Sequence, residues 1–136
     1  MTETPVSLTP LSEDECWELL AARQPRLGRI AFRDDHAVVV YPMNYAVANR
    51  AVYLRTDPKA RLATAVGSQN VVFEVDDVDV AWERGWSVLA HGRLHEVVDA
   101  EELQRHRELR LRTWAPSERL HLLRLNVSHI TGRRIT

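Results

Sequence analysis

Thr56-Asp57-Pro58-Lys59 is the stretch of this sequence with the clearest chemistry. A hydroxyl, an N-cap aspartate, a proline suited to the first helical position and an ammonium group stand where a strand gives way to a helix. The first turn of a helix has free N–H groups and a partial positive charge, so the junction predicts an anion site. Thr56 would add a donor and Lys59 a full charge. Lys59 is the only lysine among 18 basic side chains, so lysines are not scattered over this surface. The plainer reading is a simple helix cap with a solvated ammonium.

A second candidate is Pro42-Met43-Asn44-Tyr45. Proline removes a ladder donor inside an apolar segment, which predicts a bulge, or a place where another group meets the backbone. An amide and a phenol beside it can present polar atoms to a flat heteroaromatic ligand. Trp82, Trp86 and Trp114 can line a cleft for a ring system, or equally a core or a subunit contact. His95-Glu96-Val97-Val98-Asp99 has the look of a zinc-protease helix, but the run reads as a strand. There, residues four apart lie about 13 Å from each other, too far to share a metal; His91 and His95 fail for the same reason. No nucleophile elbow, Ser/His/Asp order or full P-loop is present. Cys16 falls on the apolar face of the first helix and reads as core.

The elements that must position these residues follow from the periodicity. Residues 1–10 read as a loose arm, and residues 11–136 as one domain. Ser12-Glu13-Asp14-Glu15 is a capping box, followed by an amphipathic helix that Pro25 stops. Strands are predicted over residues 27–32, 37–41, 51–56, 70–75, 87–98 and 120–130, with a turn at Ala48-Asn49-Arg50. A second helix is expected from Asp57-Pro58-Lys59 to Gly67. A third, opened by Asp99 and Glu102, runs to about Arg112. Six strands joined mostly by short turns, interrupted by helices, predict a mainly β (α+β) fold, an antiparallel barrel with helices packed outside.

Composition narrows the class of function. The 136 residues are 45% hydrophobic and 27% charged, which is the balance of an ordinary globular domain. A chain of this length can bury roughly 65–70% of its unfolded surface. A formal net charge of −1 argues against a general nucleic-acid binder. One cysteine can make neither an internal disulfide nor a structural zinc site. No apolar run approaches the roughly 20 residues of a membrane span, and no signal-peptide core opens the chain, so the expectation is a soluble cytoplasmic protein. Residues 103–136 hold eight arginines against Glu108 and Glu118. The acidic stretch over residues 74–83 is a plausible complement, within the chain or across a homodimer.

Taken in order, several of these stretches resemble the pyridoxamine 5′-phosphate oxidase-like family of split β-barrel flavoproteins. They are the Leu11-Ser12-Glu13 helix start, Tyr41-Pro42-Met43-Asn44-Tyr45, Val52-Tyr53-Leu54-Arg55-Thr56 leading to Lys59, Trp86-Ser87-Val88 ahead of Gly92, and Ile130-Thr131-Gly132-Arg133. The resemblance implies a six-stranded antiparallel split barrel with flanking helices, and a homodimer with flavin mononucleotide (FMN) at the subunit interface. By that resemblance Pro42, Met43, Asn44 and Tyr45 would flank the isoalloxazine, and Thr56 and Lys59, with Arg55 nearby, would hold the phosphate. Trp86 and Ser87 would approach from the partner, and Trp114 and Arg133 would face cofactor or substrate. The family's namesakes carry an arginine in the second strand where this chain has Val40 or a neighbour, an Arg-Lys pair where it has Pro58-Lys59, and a longer C-terminal segment. Pyridoxal phosphate synthesis is therefore not implied. Arg55, Arg61 or a C-terminal arginine would have to complete the phosphate site. The reading is an FMN-binding oxidoreductase acting on a small molecule. Two alternatives stay open: a deazaflavin coenzyme, drawing on the arginine-rich quarter, or a non-catalytic flavin- or haem-binding protein with His36, His91 or His129 as ligands.

Overall fold

The computed structural model describes residues 7–57, 59–106 and 121–136. Strands β1 (Leu8–Pro10), β2 (Leu27–Arg33), β3 (Val38–Asn44), β4 (Ala46–Ala48), β5 (Ala51–Thr56), β6 (Val71–Asp79), β7 (Arg84–Glu96) and β8 (His121–Ile135) form one antiparallel sheet. Its order is β3-β2-β6-β7-β8-β5-β4, with β1 added along β8. Helix α1 (Glu13–Ala22) packs on β8 and β4, and α2 (Ala100–Arg105) follows β7. The six expected strands are all present. The two extra ones are the three-residue β1 and β4, too short to leave a periodic signal. Leu8–Pro10, read as part of a loose arm, pairs with Ile135, Arg134 and Arg133.

The sheet curls into a half-barrel around one apolar interior that includes Ile30, Phe32, Val52, Leu54, Phe73, Val75, Leu94, Leu123 and Leu125. β3 and β4 form the two ends of the sheet path and are joined directly along the chain. Tyr45 leaves β3, its N–H donating 3.1 Å to the Arg26 carbonyl, and the chain then runs along β5 on the other side of the sheet. The β4–β5 hairpin turns on Asn49 and Arg50, at φ 50° and 56°. Two consecutive left-handed residues between paired Ala48 and Ala51 are what a tight hairpin of the right twist requires. β7 and β8 are long enough to serve both halves of the barrel, and they bend at a bulge between His91 and Gly92. A Cβ on Gly92 would sit 2.0 Å from the Asn126 carbonyl oxygen, so the two backbones can approach there only at glycine.

The capping box forms as expected, with Glu15 N–H donating 3.1 Å to Ser12 Oγ and Ser12 N–H donating 3.1 Å to Glu15 Oε1. The Asp99 box is half made. Asp99 accepts from Glu102 N–H, but the Glu102 carboxylate turns instead to Arg124 and to the Tyr53 hydroxyl. The described part of that helix ends at Arg105. Cys16 is fully buried in the core, and burial pushes its thiol above the usual range. The helix expected after Asp57-Pro58-Lys59 is not α-helical. A turn comes first, in which Lys59 N–H donates 2.8 Å to the Asp57 carboxylate and Ala60 N–H donates to the Asp57 carbonyl. A five-residue 3-10 turn, Arg61–Ala65, then follows. A turn this short gathers little dipole, and Asp57 already uses the Lys59 amide.

Candidate functional site

The expected site residues fall into two groups at opposite ends of β8. Thr56 pairs with His121 at its start, whereas Ser87 pairs with Arg133 and Trp86 with Arg134 near its end. Between His121 and Arg133 the strand rises by about 40 Å at ~3.3 Å per residue, measured along its curved path.

β3 is not tied to the Thr56 end by register: it lies at the end of the sheet path, bonded to β2 alone among the described residues, and its Pro42 is opposite Arg29, which is itself opposite Glu74. An edge strand tolerates proline, and the β2–β3 register runs through Pro42 opposite Arg29 without a bulge. Side chains alternate along β3. Val38, Val40 and Pro42 stand exposed on the outer face, and Met43 packs inward against the core. Tyr45 is also turned inward. It is 1% exposed, its hydroxyl donates 2.6 Å to the Leu20 carbonyl, and its ring meets Phe73 edge-on at 5.3 Å. Burial pushes its phenol up to about 12, as it does for Tyr41. Of the four residues expected around a flat ligand, Pro42 and Asn44 therefore lie on the outer face, while Met43 and Tyr45 serve the interior.

Thr56 closes β5 on the inner face with Val52 and Leu54. It is buried, and its hydroxyl makes one long 3.4 Å bond to the Asp57 carbonyl. Lys59 is exposed, and no carboxylate pairs with it or with Arg55 among the described residues. Arg55 alternates to the opposite face from Thr56, beside Tyr53 and Leu122. Arg61 is not available as a substitute phosphate ligand, because it is paired with Asp34, whose carboxyl it holds well below the usual range. Thr56 has a neighbour that spacing along the chain could not reveal. His121 lies directly across from it, and His121 Nδ1 is 2.6 Å from Glu96 Oε1 on β7.

In the second group, Ser87 and Arg133 share the outer face of the sheet, next to Asp76. Arg29 Nη1 lies 3.2 Å from both Glu74 Oε1 and Asp76 Oδ2. Burial, reinforced by Asp76 and opposed by Arg29, pushes the Glu74 carboxyl up to about 7. Among the described residues, Glu74 and Asp76 of the acidic stretch are thus partnered by an arginine of β2. Trp86 alternates to the other face, where with Arg84, Asp77, Asp79 and Arg134 it lines a groove of about 580 Å³. Trp82 is not part of that groove; it is 68% exposed on the β6–β7 turn with the Arg84 guanidinium 5.3 Å from its ring centre. Pro58 and Trp114 lie outside the described residues. His91 and His129 face one another across β7 and β8, ring centres 5.7 Å apart, and His36 is exposed in the β2–β3 turn. No group of three or more metal-ligating side chains occurs among the described residues, and no helix there is long and apolar enough to cross a membrane.

A second polar cluster lies under α2. The Tyr53 hydroxyl donates 3.1 Å to Glu102, which is also paired with Arg124, and His106 packs on the Tyr53 ring at 4.4 Å. Nothing in the local sequence marks it, since its members come from β5, α2 and β8.

Comparison with known proteins agrees with this architecture. The family model described as pyridoxamine 5′-phosphate oxidase matches residues 12–134. An uncharacterised protein of Mycobacterium tuberculosis is 32% identical over 130 residues, which is 92% of this chain and 84% of the relative. The solved structure of an FAD-binding protein from Mycobacterium smegmatis superposes with a TM-score of 0.79 at 38% identity, over 93% of this chain and 96% of that one. An FAD-binding protein from Mesorhizobium loti shares the fold, with a TM-score of 0.76 at 22% identity over 97% and 99% of the two chains. With the split barrel, the strand order and the matched span in agreement, this chain belongs to the pyridoxamine 5′-phosphate oxidase-like family of flavin-binding proteins.

Proposed function

We propose that the protein is a cytoplasmic, flavin-dependent oxidoreductase that works as a homodimer on a small-molecule substrate, with FMN as its cofactor. Pro42 and Asn44 of one chain would meet the isoalloxazine, Thr56 and Lys59 would hold the phosphate, and Ser87, Arg133 and Trp86 would close the site from the partner. Trp114 is assigned to the same site by family resemblance alone. One observation carries the two-chain reading: the two groups sit at opposite ends of β8, Thr56 beside His121 and Ser87 beside Arg133. Residues at opposite ends of one strand that would serve one cofactor can be brought together across a two-fold axis.

The residues present suit such a group. An edge strand with an exposed proline offers flat apolar surface, and a strand end with a hydroxyl and an unpaired ammonium suits a phosphate. A bound flavin would supply hydride and electron transfer, while the chain supplies position and electrostatics. Neither Tyr41 nor Tyr45 is placed to exchange a proton near neutral pH, since both phenols are held near 12. No acid or base is assigned.

FAD is the second reading. The 38%-identical relative from M. smegmatis is an FAD-binding protein, and the groove beside Trp86 carries Arg84 and Arg134, which could accept a further phosphate. The test is the absorbance spectrum of the purified protein, then titration of the apoprotein with FMN, FAD, riboflavin and a deazaflavin coenzyme by fluorescence. Tight binding of FMN with little gain for FAD supports the first reading, and a strong preference for FAD supports the second. Binding of the deazaflavin coenzyme alone would replace both.

A further inference from the structure

His121 and Glu96 are 25 residues apart and meet only because β8 runs between β5 and β7. On one side of β8, His121 is the register partner of Thr56, which puts their side chains on the same face with Cβ atoms about 5 Å apart. On the other side, Glu96 pairs with Leu123, two residues along and on that same face, and its carboxylate reaches His121 Nδ1 at 2.6 Å. Nδ1 donates there, because a carboxylate only accepts, and so the ring orientation and tautomer are fixed. Nε2 is the remaining polar edge. The His121 side chain is 44% exposed. Among the described residues, the other cations near this strand end are committed or turned away: Arg61 is paired with Asp34, and Arg55 lies on the opposite face from Thr56.

Resting on the flavin reading above, we propose that His121 is a third ligand to the cofactor's phosphate, beside Thr56 and Lys59, and that Glu96 is the residue that positions its ring. A phosphate at Nε2 would be met by an imidazolium whose two N–H groups each have an acceptor, Glu96 on one side and the phosphate on the other. This supplies a second charge at a site that otherwise has one ammonium. It also gives the Glu96 carboxylate a role beyond a surface ion pair. Another carboxylate of the junction, Asp57, is engaged with the Lys59 backbone amide.

The experiment compares FMN with riboflavin, which differ only by the phosphate. Dissociation constants for both are measured by flavin fluorescence on the apoprotein, for the wild type, Lys59→Ala, His121→Ala, His121→Gln and Glu96→Gln. For His121→Ala the expected result is a loss of about tenfold in FMN affinity with riboflavin affinity unchanged within about twofold, the size of one charge-assisted hydrogen bond. Glu96→Gln should lower the FMN-to-riboflavin preference in the same direction by a smaller factor. That ratio would not move if the pair were merely structural, because both ligands would then weaken together. His121→Gln, closer in size and polarity, serves if the alanine variant does not fold. A ratio that collapses in Lys59→Ala but stays at the wild-type value in the His121 variants overturns this proposal and leaves the flavin reading standing. Equal loss of both ligands in the His121 variants also overturns it. A wild type that does not prefer FMN to riboflavin removes the phosphate site itself, and His121 with it.

Discussion

Tyr45 stands next to residues that face outward, yet its own side chain ties β3 to the C-terminal half of α1. Removing the hydroxyl leaves the buried Leu20 carbonyl without its 2.6 Å donor, and Tyr45→Phe is expected to cost about 1–2 kcal/mol of stability, read as a lower urea midpoint at unchanged m-value. Glu74 has a different signature. In an unfolded chain its carboxyl titrates near 4.5, and in the fold at about 7, so folding takes up a proton between these values. Stability must therefore fall as pH rises across that window and level off above it. Glu74→Gln removes the titration. Its melting temperature should rise relative to the wild type as pH goes from 4.5 to 7.5, with no difference at the acid end. A constant difference across that range would mean that Glu74 is not raised.

At the scale of elements, the bend in β7 and β8 is the feature on which barrel closure turns. Gly92 lies where the two backbones come too close for any Cβ. Gly92→Ala is expected to destabilise by at least about 2 kcal/mol, because backbone rather than a flexible side chain would have to move; a denaturation midpoint equal to the wild type's would contradict this. The order β3-β2-β6-β7-β8-β5-β4 also explains why the strand bearing Pro42 can carry a proline at all. As an edge strand it has, among the described residues, no neighbour on one side to claim the missing N–H. Much of this level was legible from local signals. The Ser12 capping box, the Asn49-Arg50 turn and the six longer strands each leave a mark in composition or period. β1 and β4 leave none, because three residues are too few for alternation to register. The junction after Thr56 departs from the expected helix for a physical reason. Asp57 and Pro58 do favour a helix start, but Asp57 caps a tight turn instead, and only a 3-10 turn follows.

For the whole molecule, the separation of the two residue groups makes a prediction that no single-chain site shares. Thr56→Ala with Lys59→Ala in one chain, and Ser87→Ala with Arg133→Ala in another, should each bind FMN poorly. A mixture refolded together should recover one good site in each mixed dimer, because that site takes its intact halves from different chains. Recovery to about half of the wild-type stoichiometry in the mixed dimers supports the two-chain site. No recovery, with dimers confirmed by sedimentation, argues against it.

By itself the sequence determined the fold class, the helix start at Ser12 and the strand content, because hydrophobic period, caps and turn residues act over a few neighbours along the chain; the order of its motifs carried the family resemblance. It also marked Thr56, Lys59, Ser87 and Arg133 as polar groups worth watching. Only the tertiary structure decided which of them are neighbours. Register across β5, β7 and β8 places His121 between Thr56 and Glu96, splits Ser87 from Trp86 onto opposite faces, turns Met43 and Tyr45 inward, and pairs Arg29 with Glu74 and Asp76. These contacts join residues 25 or more positions apart in most cases. They depend on strand pairing that is set by packing the whole interior, which no local stretch of residues encodes.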